Sequence, residues 1–80
     1  MNSATWAQTL EQAYDDLCER VAHDEYTVID PYAAQSPAEF FAVLTEVFFE
    51  TPESLFDTYP AVYDQFRQFY RQDPLARRTA

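Results

Sequence analysis

The chain contains no glycine and no lysine, and only one cysteine, one histidine and one tryptophan in 80 residues. Each shortage excludes something. Average usage would place about five or six glycines in this length. Without them left-handed turns are costly and tight two-residue β-hairpins are disfavoured. Helices joined at proline are the natural alternative, and five prolines are present. A lone Cys18 excludes any disulfide within the chain and, with a lone His23, any complete Cys/His structural zinc site. Its default role is that of a small, half-buried hydrophobe. There is no phosphate-binding glycine loop and no sequence context for a Ser/His/Asp set. No run approaches the roughly 20 apolar residues of a membrane span. Met1–Arg20 is amphipathic with no basic start, so it does not read as a signal peptide. An unpaired thiol and no export signal lead to the expectation of a cytoplasmic chain. No internal repeat or low-complexity segment is visible.

What remains is rich in apolar and acidic residues. Hydrophobic residues make up 48% and aromatics 18% of the chain, a globular composition. Fourteen acidic residues face five arginines, a formal net charge of −9. Such a surface repels nucleic-acid backbones and anionic membranes. It serves as a solvated acidic exterior or recruits a basic partner. At this length the chain forms one small domain at most, and buries only a little over half of its unfolded surface.

Helical spacing dominates. Trp6, Leu10, Tyr14, Leu17 and Val21 make one apolar stripe, predicting a helix from about Thr5 to Ala22. His23-Asp24-Glu25 breaks it. Tyr26-Thr27-Val28-Ile29 is β-prone but short, suiting an edge strand or plain extended chain. Asp30 precedes a proline and is pushed out of helical geometry, and Tyr32–Gln35 read as a loop. Ser36-Pro37-Ala38-Glu39 opens a second helix, with Ser36 as N-cap, Pro37 at the first position and Glu39 at the third. That helix runs to Glu50, and its apolar residues occupy nearly the whole circumference, the mark of an element buried on most sides. Eighty residues struggle to cover it, which implies neighbouring structure or self-association through residues 37–50. Thr51-Pro52-Glu53 repeats the capping logic for a short helix ending near Thr58. A last helix from about Pro60 carries Val62, Tyr63, Phe66, Phe69 and Tyr70, and Asp73-Pro74 stops it. The fold class expected is therefore mostly α: three main helices, one short helix and a short extended segment, with residues 75–80 a frayed basic tail.

Few residues suggest chemistry on spacing alone. His23, Asp24 and Glu25 crowd one break and do not converge easily on an ion. Asp15 and Asp16 point apart on a helix; Glu39 and Glu46 lie two turns apart, so neither pair suits two-carboxylate hydrolysis. Glu39 has a complete structural role in the capping box, where its carboxylate reaches back to the Ser36 amide. The same carboxylate is also a candidate metal ligand, but one rotamer cannot do both. With no metal present the Ser36 bond is expected.

A resemblance adds to this reading. Asp30-Pro31-Tyr32-Ala33-Ala34-x-x-Pro37-Ala38-Glu39-Phe40-Phe41-Ala42-Val43, then Val47-Phe48-Phe49-Glu50-x-Pro52, resembles the C-terminal third of the Mlc titration factor A family of zinc-dependent peptidases, which is similar to lethal-factor-type zincins. Tyr59-Pro60-x-x-Tyr63, Arg67 and Phe69-Tyr70-Arg71-Gln72-Asp73-Pro74 continue the likeness. The resemblance implies that residues 1–80 are a single partial domain, the C-terminal portion of a zincin-like catalytic domain. It implies that Glu39 is the third zinc ligand, and that Tyr32 leans over the metal to stabilise the oxyanion of a peptide substrate. It further implies aminopeptidase-like amide hydrolysis and an interaction with an Mlc-type transcriptional repressor. The family's other two ligands come from a His-Glu-x-x-His helix, absent from this sequence. Zinc is therefore expected only with histidines supplied from elsewhere, and no activity is expected of this chain alone. The rival reading is a non-catalytic acidic helical module that binds a protein partner or forms a homodimer.

Overall fold

The computed structural model describes residues 3–79. It contains five α-helices, α1 (Ser3–Ala22), α2 (Pro37–Glu50), α3 (Pro52–Thr58), α4 (Pro60–Tyr70) and α5 (Pro74–Thr79), and one 3-10 helix, η1 (Pro31–Ala34). All five prolines open a helical element. The first helical position lacks an amide acceptor in any case, and the ring presets φ, so proline starts a helix at no cost there. One residue suffices at two joints. Thr51 closes α2 through its amide to the Val47 carbonyl (2.8 Å), and Tyr59 closes α3 likewise on Leu55 (2.8 Å). The side chain of Thr51 makes no capping bond, so the capping logic seen in Thr51-Pro52-Glu53 holds for the proline and not for the threonine.

The missing glycines are replaced where helices stop. Asp24 (φ 58°) and Arg71 (φ 54°) take the left-handed conformation that glycine normally fills. After α1 the Glu25 amide donates to the Arg20 carbonyl (3.0 Å) and the Asp24 amide to that of Val21 (3.1 Å), the paired bonds of a Schellman stop. Among the described residues there is no strand: residues 25–30 are irregular. The β-prone run finds no neighbouring strand to pair with. It turns Ile29 into the core while Val28 and Tyr26 face solvent.

Phe40, Leu44 and Phe48 of α2 recur every fourth residue and are buried against Leu17, Leu55, Val62 and Phe66. The whole predicted stripe of α1 packs on this cluster, with Leu17 buried and Trp6, Leu10, Tyr14 and Val21 partly so. The rest of α2 is less covered than its composition suggests, since Ala38 and Ala42 are exposed and Phe49 is 41% exposed. The short dimension of the molecule is 17 Å, room for two helix layers and not three. Ring packing tightens the small core: Phe48 meets Phe66 edge-on at 5.7 Å and Tyr63 at 5.2 Å, and Trp6 stacks on Phe69 at 5.0 Å. Such pairs add about 0.5–1.5 kcal/mol each beyond area burial.

The expected frayed tail is helical over residues 74–79; Ala80 lies outside the described residues. The buried Tyr63 hydroxyl donates to Asp73 Oδ1 (2.5 Å) and accepts from the Leu75 amide (3.1 Å). Asp73 Oδ1 also accepts from the Ala76 amide (3.4 Å), capping α5. Leu75 then packs against the core. No local pattern announces this Tyr63 lock, because its partners lie ten and twelve residues away.

Candidate metal-binding face

Tyr32 and Glu39 sit on adjoining elements. Asp30 accepts the Tyr32 amide on Oδ1 (2.9 Å) and the Ala33 amide on its carbonyl (2.9 Å), while Pro31 fixes the first position. Asp-Pro thus opens η1 just as Ser-Pro opens α2. The loop expected at Tyr32–Gln35 is a capped 3-10 turn, and the signal for it was already present in Asp30-Pro31. Ala33 is buried, and the Ala34 carbonyl accepts from Tyr14 Oη (3.2 Å) and more distantly from Cys18 Sγ (3.8 Å). With η1 pinned to α1 in this way, Tyr32 turns outward and is 54% exposed.

Glu39 lies in the first turn of α2, half-buried, beside the buried Phe40. Ser36 Oγ accepts its amide at 3.2 Å, as the capping motif requires. The return bond from the Glu39 carboxylate to the Ser36 amide is not made among the described residues. This corrects the expectation of a reciprocal capping box: Ser36 caps the helix end without a return bond, and the carboxylate has no partner among the described residues. The Tyr32 hydroxyl also makes no hydrogen bond among the described residues. Two polar groups on packed neighbouring elements are therefore uncommitted. Neither residue lines any of five surface grooves of 220 to 460 Å³; Tyr32 is exposed and Glu39 half-buried on the adjoining elements η1 and α2.

The fit to a metal is partial. Among the described residues no group of three His, Cys, Asp or Glu side chains could hold an ion. His23 stays exposed in the turn after α1. Glu39 offers one uncommitted oxygen ligand, which suits a place in a mixed nitrogen–oxygen zinc set but does not make one.

Several other polar groups are already occupied, whereas the buried Gln65 Oε1 has no partner among the described residues. Asp16 Oδ2 accepts from Tyr59 Oη (2.9 Å) and from Arg20 Nε (2.8 Å), bracing α1 against the α3–α4 joint. Burial, with the Asp16 bond, pushes the Tyr59 phenol above its ordinary range. Burial and then Asp73 raise Tyr63 as well, and the Tyr63 bond holds Asp73 below the usual carboxylate range. These long-range pairings had no signature in the sequence.

Comparison with known proteins identifies the family. A family model described as glucose-regulated metallo-peptidase M90 matches residues 1–71. Proteins named Mlc titration factor A from Pectobacterium atrosepticum, Yersinia pestis and Yersinia pseudotuberculosis are each 49% identical over 76 residues, covering 92% of this chain. That match spans 29% of the Pectobacterium protein and 28% of each Yersinia protein. No solved structure matches the chain. No helix among the described residues is long and apolar enough to cross a membrane. The chain belongs to the glucose-regulated metallo-peptidase M90 family.

Proposed function

We propose that this chain is the C-terminal portion of a cytoplasmic zinc-dependent peptidase of the Mlc titration factor A type. In this reading Glu39 is the third metal ligand and Tyr32 the donor to the substrate oxyanion. The observation that carries it is the pair of uncommitted polar groups on the adjoining η1 and α2, in a chain whose buried and half-buried tyrosine hydroxyls are all bonded.

Each residue has a defined task. Ser36 and Pro37 hold the first turn of α2, so the Glu39 carboxylate is presented from a rigid base. Asp30, Ala33 and the Ala34 carbonyl fix η1, so the Tyr32 phenol stays in place to donate as charge builds on the substrate carbonyl oxygen. Glu39 would hold zinc together with two histidines of a His-Glu-x-x-His helix outside these residues, and the metal would supply Lewis acidity and activation of water there. The substrate is a peptide, cleaved in an aminopeptidase-like way, and association with an Mlc-type repressor belongs to the same reading.

The test uses a longer polypeptide that joins this region to a His-Glu-x-x-His helix. Glu39→Ala is expected to lose bound zinc on metal analysis. Tyr32→Phe is expected to keep zinc while turnover falls by about 100-fold or more, as for removal of one oxyanion donor. Unchanged zinc and turnover in both variants would reject the assignment.

The exposed rings of Phe49, Phe56 and Phe69 favour a second reading, a helical module that self-associates or binds a protein. Sedimentation of the chain distinguishes it: a concentration-dependent dimer abolished by Phe69→Ser supports association, and a monomer at all concentrations removes the homodimer.

A further inference from the structure

The face of α2 that begins at Glu39 continues as Val43, Glu46, Val47 and Glu50, residues that follow at helical spacing along one side. Residues 28–30 run beside this face. Together they form a groove of about 270 Å³ lined by Val28, Val43 and Val47 and edged by Asp30, Glu46 and Glu50. Val28 is 57% exposed, so the apolar floor is open to solvent. No basic residue lines the groove. The Glu46 carboxylate is exposed and makes no hydrogen bond or ion pair among the described residues.

We propose that this groove takes a lysine or arginine side chain of a bound peptide. The chemistry fits those side chains in both of their parts. A long aliphatic stem lies on apolar surface while its charged head stays at the wet edge, and here three valines offer the floor and Glu46 the counter-charge. A neutral apolar side chain would gain the floor alone, and an acidic one would meet three carboxylates. The volume suits one long side chain and not a folded segment. The 1.5 Å rise per residue puts Glu46 about 10 Å along α2 from Glu39. An extended peptide covers that distance in about three residues. The basic residue therefore lies within three residues of the cleaved bond. That last placement rests on the reading of Tyr32 and Glu39 above; the binding itself does not.

The experiment is a metal-free titration of the 80-residue chain with three blocked tripeptides, N-acetyl-Ala-Xaa-Ala-amide with Xaa lysine, norleucine or glutamate, followed by amide chemical shifts. The lysine peptide is expected to shift residues 28–30 and 43–50 saturably. Norleucine, which keeps the stem and loses the charge, is expected to bind about three- to five-fold more weakly, the size of a solvent-exposed ion pair. Glu46→Gln is expected to lower lysine-peptide affinity by the same factor. Glu19→Gln, which removes one charge from α1 outside the groove, is expected to leave it unchanged. Equal affinities for lysine and norleucine, equal effects of the two charge removals, or shifts that map elsewhere would each overturn the proposal. If Glu39 later proves not to bind zinc, these results keep their meaning, because no metal takes part in them.

Discussion

Six tyrosines divide this small molecule into two regions. In the helical core the hydroxyls of Tyr14, Tyr59, Tyr63 and Tyr70 are engaged, with the Ala34 carbonyl, Asp16, Asp73 and Thr45 respectively. On the stretch between α1 and α2, Tyr26 and Tyr32 reach solvent and their hydroxyls have no partner among the described residues. The contrast is physical. A half-buried phenol must find a partner or lose the free energy of its hydration, so structural tyrosines are wired as the fold forms. An exposed phenol carries no such obligation and is free for a ligand. Glu39 belongs with the second group, half-buried yet uncommitted. The two regions should therefore fail differently: core changes cost stability, and changes at the open face cost binding or chemistry.

The largest expected effect lies in the core. Phe66 is buried between Trp6, Phe41, Phe48 and Tyr70. Phe66→Ala removes a large ring from packing that cannot close over it, and should cost about 3–5 kcal/mol. For a chain of this size that is most of the total. Urea unfolding followed by circular dichroism measures it. A loss below about 1 kcal/mol would mean that the core is loosely packed, and the contrast between the regions would lose its basis.

Next comes the lock on α5. Tyr63→Phe keeps the ring in the core but takes the donor from Asp73 and the acceptor from the Leu75 amide. It should cost about 1–2 kcal/mol and speed hydrogen exchange at Leu75. The same pair sets a pH dependence. Asp73 is held below its ordinary range chiefly by the Tyr63 bond, so the unfolded chain binds the proton more readily than the native one. The contribution is whole above the usual carboxylate range, about pH 4, and is lost as pH falls through the lower native value. Tyr63 is raised chiefly by burial, so its share is whole below about pH 10 and is lost as pH rises through the higher native value. Asp73→Asn should flatten the acid limb and shrink, without removing, the alkaline one, because burial still raises Tyr63 when the Asp73 charge is gone. An acid limb identical in the variant would place the lock elsewhere.

Ser36 stands on the border between the regions. Its hydroxyl is the sole side-chain cap on α2, so Ser36→Ala should cost about 1 kcal/mol. Because Glu39 makes no return bond, Glu39→Gln should change stability by less than about 0.5 kcal/mol. In a closed capping box the two substitutions would cost similar amounts. Comparable losses on urea unfolding would show that the box closes in solution.

Local signals carried much of this fold. Proline at the first helical position, Ser36 as cap and the four-residue spacing of Phe40, Leu44 and Phe48 are nearest-neighbour facts, and each was readable. Asp30-Pro31 obeyed the same rule and could have been read as a helix start. What had no local trace was pairing across the chain. The Tyr59 bond to Asp16 spans 43 residues, and the docking of α5 depends on a phenol in α4. That 80 residues leave α2 partly uncovered was legible from composition, but not which side stays open, because composition reports how apolar a helix is and not which face its neighbours reach. For the open face, sequence physics gave only a tyrosine and a glutamate seven residues apart. Their joint lack of partners among the described residues is a property of the folded structure, and their chemistry is suggested by family resemblance rather than by spacing.

The smallest expected effect is the most discriminating. Tyr32→Phe removes one hydroxyl that is already in water, from a ring that is 54% exposed. Nothing is left unpaired and no cavity opens, so unfolding free energy should move by less than about 0.5 kcal/mol. Tyr63→Phe deletes the same atom and should cost several times more. Run side by side under identical urea conditions, the two variants share chemistry, size and loss of one oxygen, and differ only in whether that oxygen was bonded. If Tyr32→Phe proves as costly as Tyr63→Phe, the Tyr32 phenol holds a structural bond in solution and is not free to serve a substrate. If it is silent in stability yet lowers turnover in the longer polypeptide, the oxygen acts on the ligand and not on the fold.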